Sequence, residues 1–239
     1  MYEETLRLLA SVRGFRDSID DIHARMGGQL AVAIFDKTAS NPAARVGDAI
    51  AAFNQLAPDV HLQLHVGSIN EIERGVMDGT FQIGIIPEHR SSHSLLYHRL
   101  FDEHMLLYCG AGHPLFDADH AAMDWETVRG YAFAGLGYHS PNMELTHQAR
   151  LSRAATGFDQ ESIATLILSG RYLGFLPEHY ASAFESQGRM QAVRPSQLHY
   201  HCDFVSLVRK SPQPSRAAAA FARCLVEAHG ASPLAKERS

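Results

Sequence analysis

Little in this sequence belongs to secreted or membrane proteins. Three cysteines, Cys109, Cys202 and Cys224, form an odd set without framework spacing, which excludes a disulfide scaffold and suits reduced thiols in a cytoplasm. No apolar run approaches the roughly 20 residues needed to span a bilayer, and charges interrupt the N-terminal "MYEETLRLLASVRGFRD" where a secretory signal would need an apolar stretch. Positive charge is not in excess: a formal net charge of −5 supplies no cationic field to gather phosphates, so nothing here is expected to grip nucleic acid by itself. Catalytic signatures are missing too. There is no G-x-S-x-G, no H-E-x-x-H and no P-loop, and Gly135-Leu136-Gly137 lacks the third glycine of a dinucleotide fingerprint. No catalytic residue, cofactor or enzymatic activity is expected.

What is present is a chain of 239 residues, 46% hydrophobic, enough for one large domain or two small ones. Leu8, Val12, Phe15, Ile19, Ile22 and Met26 alternate spacings of four and three, the seam of a coiled coil, although a helix packed on its own domain would read the same way. Gly27-Gly28 ends it.

From Gln29 the grammar changes. "QLAVAIF" is a buried-strand run, "DKTASNP" a loop, and Asn41-Pro42 a cap and first turn for a helix carrying Val46, Ile50 and Phe53. After Pro58-Asp59 come the strand "VHLQLHV", Gly67-Ser68, a helix with Ile69, Ile72 and Val76 ending at Asp78-Gly79, and the strand "FQIGII". This β-α-β-α-β order predicts a parallel sheet with helices on its faces. "LLYHRLFDEHMLLYC" is two strands or one long bent one. A second series then repeats the grammar: "YAFA" a strand, "MELTHQARL" and "ESIATLILSG" helices, "LGFLP" and "CDFVSLVRK" strands, and "SRAAAAFARCLVEAHG" a terminal helix that could return to the first series. In such sheets ligands sit beyond the carboxyl ends of strands, which marks the Thr38, Ser40, Asn41 loop and Gly67-Ser68, with simple helix capping as the alternative use of the same residues.

Histidines are plentiful, at 15. His89 with His93, and His199 with His201 and Cys202, lie close in sequence, but neither group has the spacing of a zinc motif, so no metal is expected. His113-Pro114 reads as a turn.

The segments "GGQLAVAIFD", "AFNQLAPDVHLQLHVGS", "GVMDGTFQIGII", "LLYCGAGHPLF" and "ESIATLILSGRYLGFLPEHYA", in this order, resemble the effector-binding domain of LysR-type transcriptional regulators. The resemblance implies an α/β fold of two Rossmann-like lobes of the type II periplasmic-binding-protein kind, preceded by an N-terminal linker helix that pairs between subunits. Residues 1–27 would be that helix, 28–101 with 205–230 the first lobe, 102–204 the second and 231–239 a flexible tail. It implies an effector site between the lobes drawn from Thr38, Ser40, Asn41, Ser68, Ile86, Pro87, Gly135, Pro141, Asn142 and Ser162. The family normally begins with a winged helix-turn-helix; nothing here reads as one, so the sequence is expected to be a fragment of a longer regulator that meets promoter DNA through that domain. A solute-binding receptor of a transport system shares the fold and is the alternative.

With no arginine obviously placed in the cleft loops, a monocarboxylate or other small polar metabolite is expected as effector rather than a dianion. "VHLQLHV" alternates, with Val60, Leu62, Leu64 and Val66 expected inward and His61, Gln63 and His65 outward, as in an edge strand. The resemblance implies that this strand lies at the sheet edge and, with the helix of Val46, Ile50 and Phe53, meets its counterpart in a second subunit, so a two-fold dimer is expected there, with a tetramer in the full-length regulator.

Overall fold

The computed structural model describes residues 26–88, 91–119, 123–137 and 149–230. The expected linker helix, the tail and most of "MELTHQARL" lie outside these residues.

The first β-α-β-α-β series is present: β1 (Gly28–Ile34), α1 (Val46–Leu56), β2 (Val60–Val66), α2 (Ile69–Asp78) and β3 (Ile83–Pro87). β1 lies between β2 and β3 and runs parallel to both. Its central place follows from its side chains, since Leu30 to Ile34 are all buried. Gly79, at φ 86, closes α2 in the left-handed conformation that favours glycine.

"LLYHRLFDEHMLLYC" resolves as one strand, β4 (Leu95–Gly110), with a register shift between Arg99 and Phe101. After α3 (Trp125–Arg129) the second series follows: β5 (Phe133–Leu136), β6 (Arg153–Gly157), α4 (Gln160–Leu168) and β7 (Leu173–Pro177). β5 lies between β6 and β7, again parallel to both. α5 (Glu178–Glu185), β8 (Met190–Ala192), β9 (His199–Arg209) and α6 (Arg216–Ala228) complete the described elements.

Among the described residues, one sheet of nine strands carries the order β2-β1-β3-β9-β4-β7-β5-β6, with β8 on β4. The two long antiparallel strands β4 and β9 thus join a parallel set on each side, giving a two-lobed α/β fold. A larger core runs from Leu30, Phe53 and Phe221 along Phe204 and Met105 to Phe175, and a smaller one gathers Leu106, Tyr108, Ile163, Ile167 and Leu176. α6 does return to the first series, where Phe221 meets Phe53 edge to face at 5.3 Å.

Three expectations need correction. Helix α1 starts at Val46 rather than at Asn41-Pro42, because the Asn41 side chain takes the Ala43 N–H and Thr38–Ser40 wind into a 3-10 turn. "YAFA" is shifted: the strand is Phe133–Leu136. On β2, Val60 is buried and Leu62 half-buried, but Leu64 and Val66 are 47% and 66% exposed. As the edge strand, β2 has a single neighbour, and its burial fades toward its end.

Candidate functional site

The apolar run of β1 ends at Phe35, whose N–H donates to Ile85 O at 2.9 Å. Polar chemistry starts at the next residue. Asp36 reaches across to the second series, where its Oδ2 accepts the backbone N–H of Gln160, at the start of α4, at 2.9 Å. A helix start exposes N–H groups without intrahelical partners, and a carboxylate is their natural complement. Asp159 caps the same helix, accepting from the Ser162 N–H at 2.7 Å. Burial nonetheless pushes the Asp36 carboxyl up to about 6, with the Gln160 hydrogen bond acting against it.

Lys37, at φ 59, makes the next crossing. Its ammonium pairs with Glu161 and stands 4.7 Å from the centre of the Tyr180 ring, while Tyr180 Oη donates to Glu161 Oε2 at 2.8 Å. The hydrogen bond from Lys37 holds the Glu161 carboxyl below its ordinary range. Further along the loop, Ser40 Oγ lies 3.0 Å from His179 Nδ1, and His179 Nε2 lies 3.0 Å from Glu103 Oε1 on β4. Burial raises the Glu103 carboxyl, offset in part by His179. Residues 36–41 therefore touch α4, α5 and the crossing strand β4 at once.

The expected site residues fare unevenly. Thr38 is buried and donates its hydroxyl to Phe35 O at 2.7 Å, and Ser40 donates to Lys37 O as well as meeting His179. Asn41 donates to Asp102 O at 3.3 Å. Ser68 sits in a capping box on α2, with its Oγ and N–H both directed to Glu71 Oε2. Ile86 and Pro87 are buried at the end of β3 against Val205 and Phe204 of β9. Gly135 is buried in β5, where a Cβ would come within 2.8 Å of Arg153 Nε. Ser162 spends its hydroxyl on Asp159. Pro141 and Asn142 lie outside the described residues. The structure brings the first loop and the Ser162 helix start together.

Sequence reasoning passes over Asp36, Lys37 and Gln160, and reads Glu161-Ser162 only as a helix N-terminus, where the structure places it. The available signal was an acid set directly after a fully apolar strand, at the carboxyl end where parallel sheets place ligands. Of the expected dimer residues, Val46 and Phe53 turn inward and Ile50 is half-buried, whereas His61 and His65 are exposed and Gln63 half-buried.

Among the described residues, two buried side-chain oxygens lack a hydrogen-bond partner, Asp36 Oδ1 and Gln160 Oε1. Both are acceptors, they belong to residues joined by one hydrogen bond, and they come from opposite series of the fold. An unsatisfied buried acceptor costs about 1–3 kcal/mol, which a donor from outside the chain can relieve.

Residues 23–230 match the model of the LysR substrate binding domain. The chain is 31% identical over 215 residues to the HTH-type transcriptional activator BauR of Pseudomonas aeruginosa, covering 90% of this chain and 70% of that protein. The effector binding domain of QuiR, solved in complex with shikimate, superposes with a TM-score of 0.72 at 12% identity, covering 85% of this chain and 98% of that one. Full-length CbnR in complex with its target DNA gives 0.65 at 16% identity, covering 95% of this chain and 78% of that one. Two parallel sets of strands joined by a crossing pair, polar loops meeting between them, and a family match across nearly the whole chain lead to one conclusion: this chain belongs to the LysR family and is the effector-binding region of a LysR-type transcriptional regulator.

Proposed function

We propose that a small polar effector binds where the loop after β1 meets the start of α4, and that it presents a hydrogen-bond donor to Asp36 Oδ1 and Gln160 Oε1. The unpartnered pair of oxygens carries this reading. Charge narrows the effector. Asp36, Asp159 and Glu161 face one another across the junction with Lys37 as their counter-ion, and Lys37 is already engaged by Glu161 and Tyr180. A dianion meets repulsion here. A monocarboxylate that also carries an ammonium or hydroxyl group suits the acceptors better.

Binding at this junction touches both series at once, so it biases their relative placement, the form in which a regulator of this family would pass the signal to DNA-binding domains acting on a promoter in the cytoplasm. The exposed Leu64 and Val66 on the edge strand, beside His61, Gln63 and His65, support a two-fold contact between copies. Among the described residues no helix is long and apolar enough to cross a membrane.

A thermal-shift screen of amino- and hydroxy-monocarboxylates against dicarboxylates tests the effector class. Stabilisation by the first group is expected, and it should be reduced in Asp36→Asn. Stabilisation by dicarboxylates alone, undiminished in that variant, would place the site elsewhere. For the dimer, sedimentation of Val66→Lys should show a lighter species than the parent chain.

A further inference from the structure

The antiparallel pairing of β4 with β9 sets His104 opposite His201 and Asp102 opposite Asp203. Side chains alternate along a strand, so His199, two residues before His201, shares their face, while the buried Cys202 takes the other. His104, His199 and His201 each offer a ring nitrogen, and these three nitrogens all lie within 4.8 Å of one another. The rings of His104 and His201 stack with centroids 4.9 Å apart.

The carboxylates beside them matter as much. Glu178 Oε2 lies 3.0 Å from His104 Nδ1, and Asp102 Oδ2 lies 2.9 Å from His201 Nδ1. A carboxylate at Nδ1 keeps the proton there and leaves Nε2 as a lone-pair donor, the arrangement that orients and strengthens metal-binding imidazoles. His104 Nε2 accordingly points at His199 Nδ1, 3.0 Å away. Two nitrogens bound to one tetrahedral Zn2+ at about 2.0–2.1 Å stand roughly 3.3 Å apart, so a small ring rotation converts this contact into a shared metal.

We propose that His104, His199 and His201 form a binding site for a divalent first-row transition-metal ion, Zn2+ foremost. Three neutral imidazoles with a fourth position left to water suit Zn2+, Ni2+ or Cu2+, and they disfavour Mg2+ and Ca2+, which seek oxygen ligands. His104 comes from β4 and the other two from β9, and Glu178 opens α5, so the ion fastens the two crossing strands to each other and to the second lobe. The site shares no residue with the Asp36 and Gln160 pair.

The test uses the untagged chain, stripped with chelator and titrated with zinc chloride, read by calorimetry and by melting temperature. One saturable ion per chain is expected, with Tm rising by roughly 5 °C or more at a hundredfold excess over Kd. His104→Ala and His201→Ala should each weaken binding at least about tenfold, Asp102→Asn should weaken it by about 10- to 100-fold with all three ligands intact, and His93→Ala should change nothing. Co2+ should give the visible absorption of a tetrahedral nitrogen-rich site in the parent and not in His104→Ala. Absence of saturable Zn2+ uptake, uptake retained in the His104→Ala, His201→Ala double variant, or an equal response to Mg2+ would overturn the assignment.

Discussion

Helices α2 and α4 occupy equivalent places in the two series, each following a strand of a parallel set, yet their N-termini are finished differently. Ser68 and Glu71 close α2 with a capping box made wholly within its own first turn. α4 has its own cap in Asp159, but its first N–H is given to Asp36 and its Glu161 to Lys37, both from the other series. A helix start completed locally has nothing left to report. One completed by a distant loop senses where that loop is, and there the structure leaves two acceptors unmatched. Side-chain capping is thus local in the first lobe, whereas in the second it is shared with a loop from the other series.

Removing the distant charge should have the largest effect. Asp36→Asn keeps the shape and an acceptor for Gln160 but loses the charge, and should weaken an ammonium-bearing effector by about 10- to 100-fold in calorimetry. Proton competition comes next. With the Asp36 carboxyl at about 6, affinity for such an effector should fall about tenfold between pH 7 and pH 5, as the ionised fraction falls. The apo chain should move the other way on this account: a carboxyl raised by burial binds its proton more readily when folded, so its contribution to stability diminishes as pH rises toward and through 6, and Asp36→Asn should raise apo Tm at pH 7.

Ser68→Ala and Asp159→Ala should each cost about 1 kcal/mol, a Tm loss of roughly 2–4 °C, but only Asp159→Ala should also weaken effector binding, because it loosens Gln160. Equal effects of the two on affinity would erase the distinction between the helix starts. Smallest is Lys37→Met, expected within about 1 kcal/mol of the parent, since its ion pair is partly exposed.

Much of the fold could be read from local signals. The apolar run of β1, the Gly79 stop and the Ser68 cap all act over a few residues, and each stands where it was expected. The short strands were harder. "RAATG" has no alternation and only two alanines for apolar content, and becomes β6 because β5 offers a parallel backbone to pair with. The start of α1 was misplaced because the Asn41 side chain is occupied by Ala43 N–H and by Asp102 O, a partner 61 residues away. The candidate site could be read from the sequence as loops at strand ends, but not as particular atoms. Asp36 looks like an ordinary solvated loop acid until α4 covers it, and the histidine group needs His104, 95 residues from His199 and brought there by strand register alone.

The threading of β4 and β9 also governs how the chain can be made. The second series lies as one uninterrupted insert between these strands, whereas the first lacks its fourth strand and the helix covering Phe53 until β9 and α6 have been synthesised. On a ribosome the middle of the protein can close while its beginning waits, with Phe53 uncovered until Phe221 emerges. Interruption of translation just before α6 would leave a finished second lobe attached to an open first one, the species that chaperones would hold.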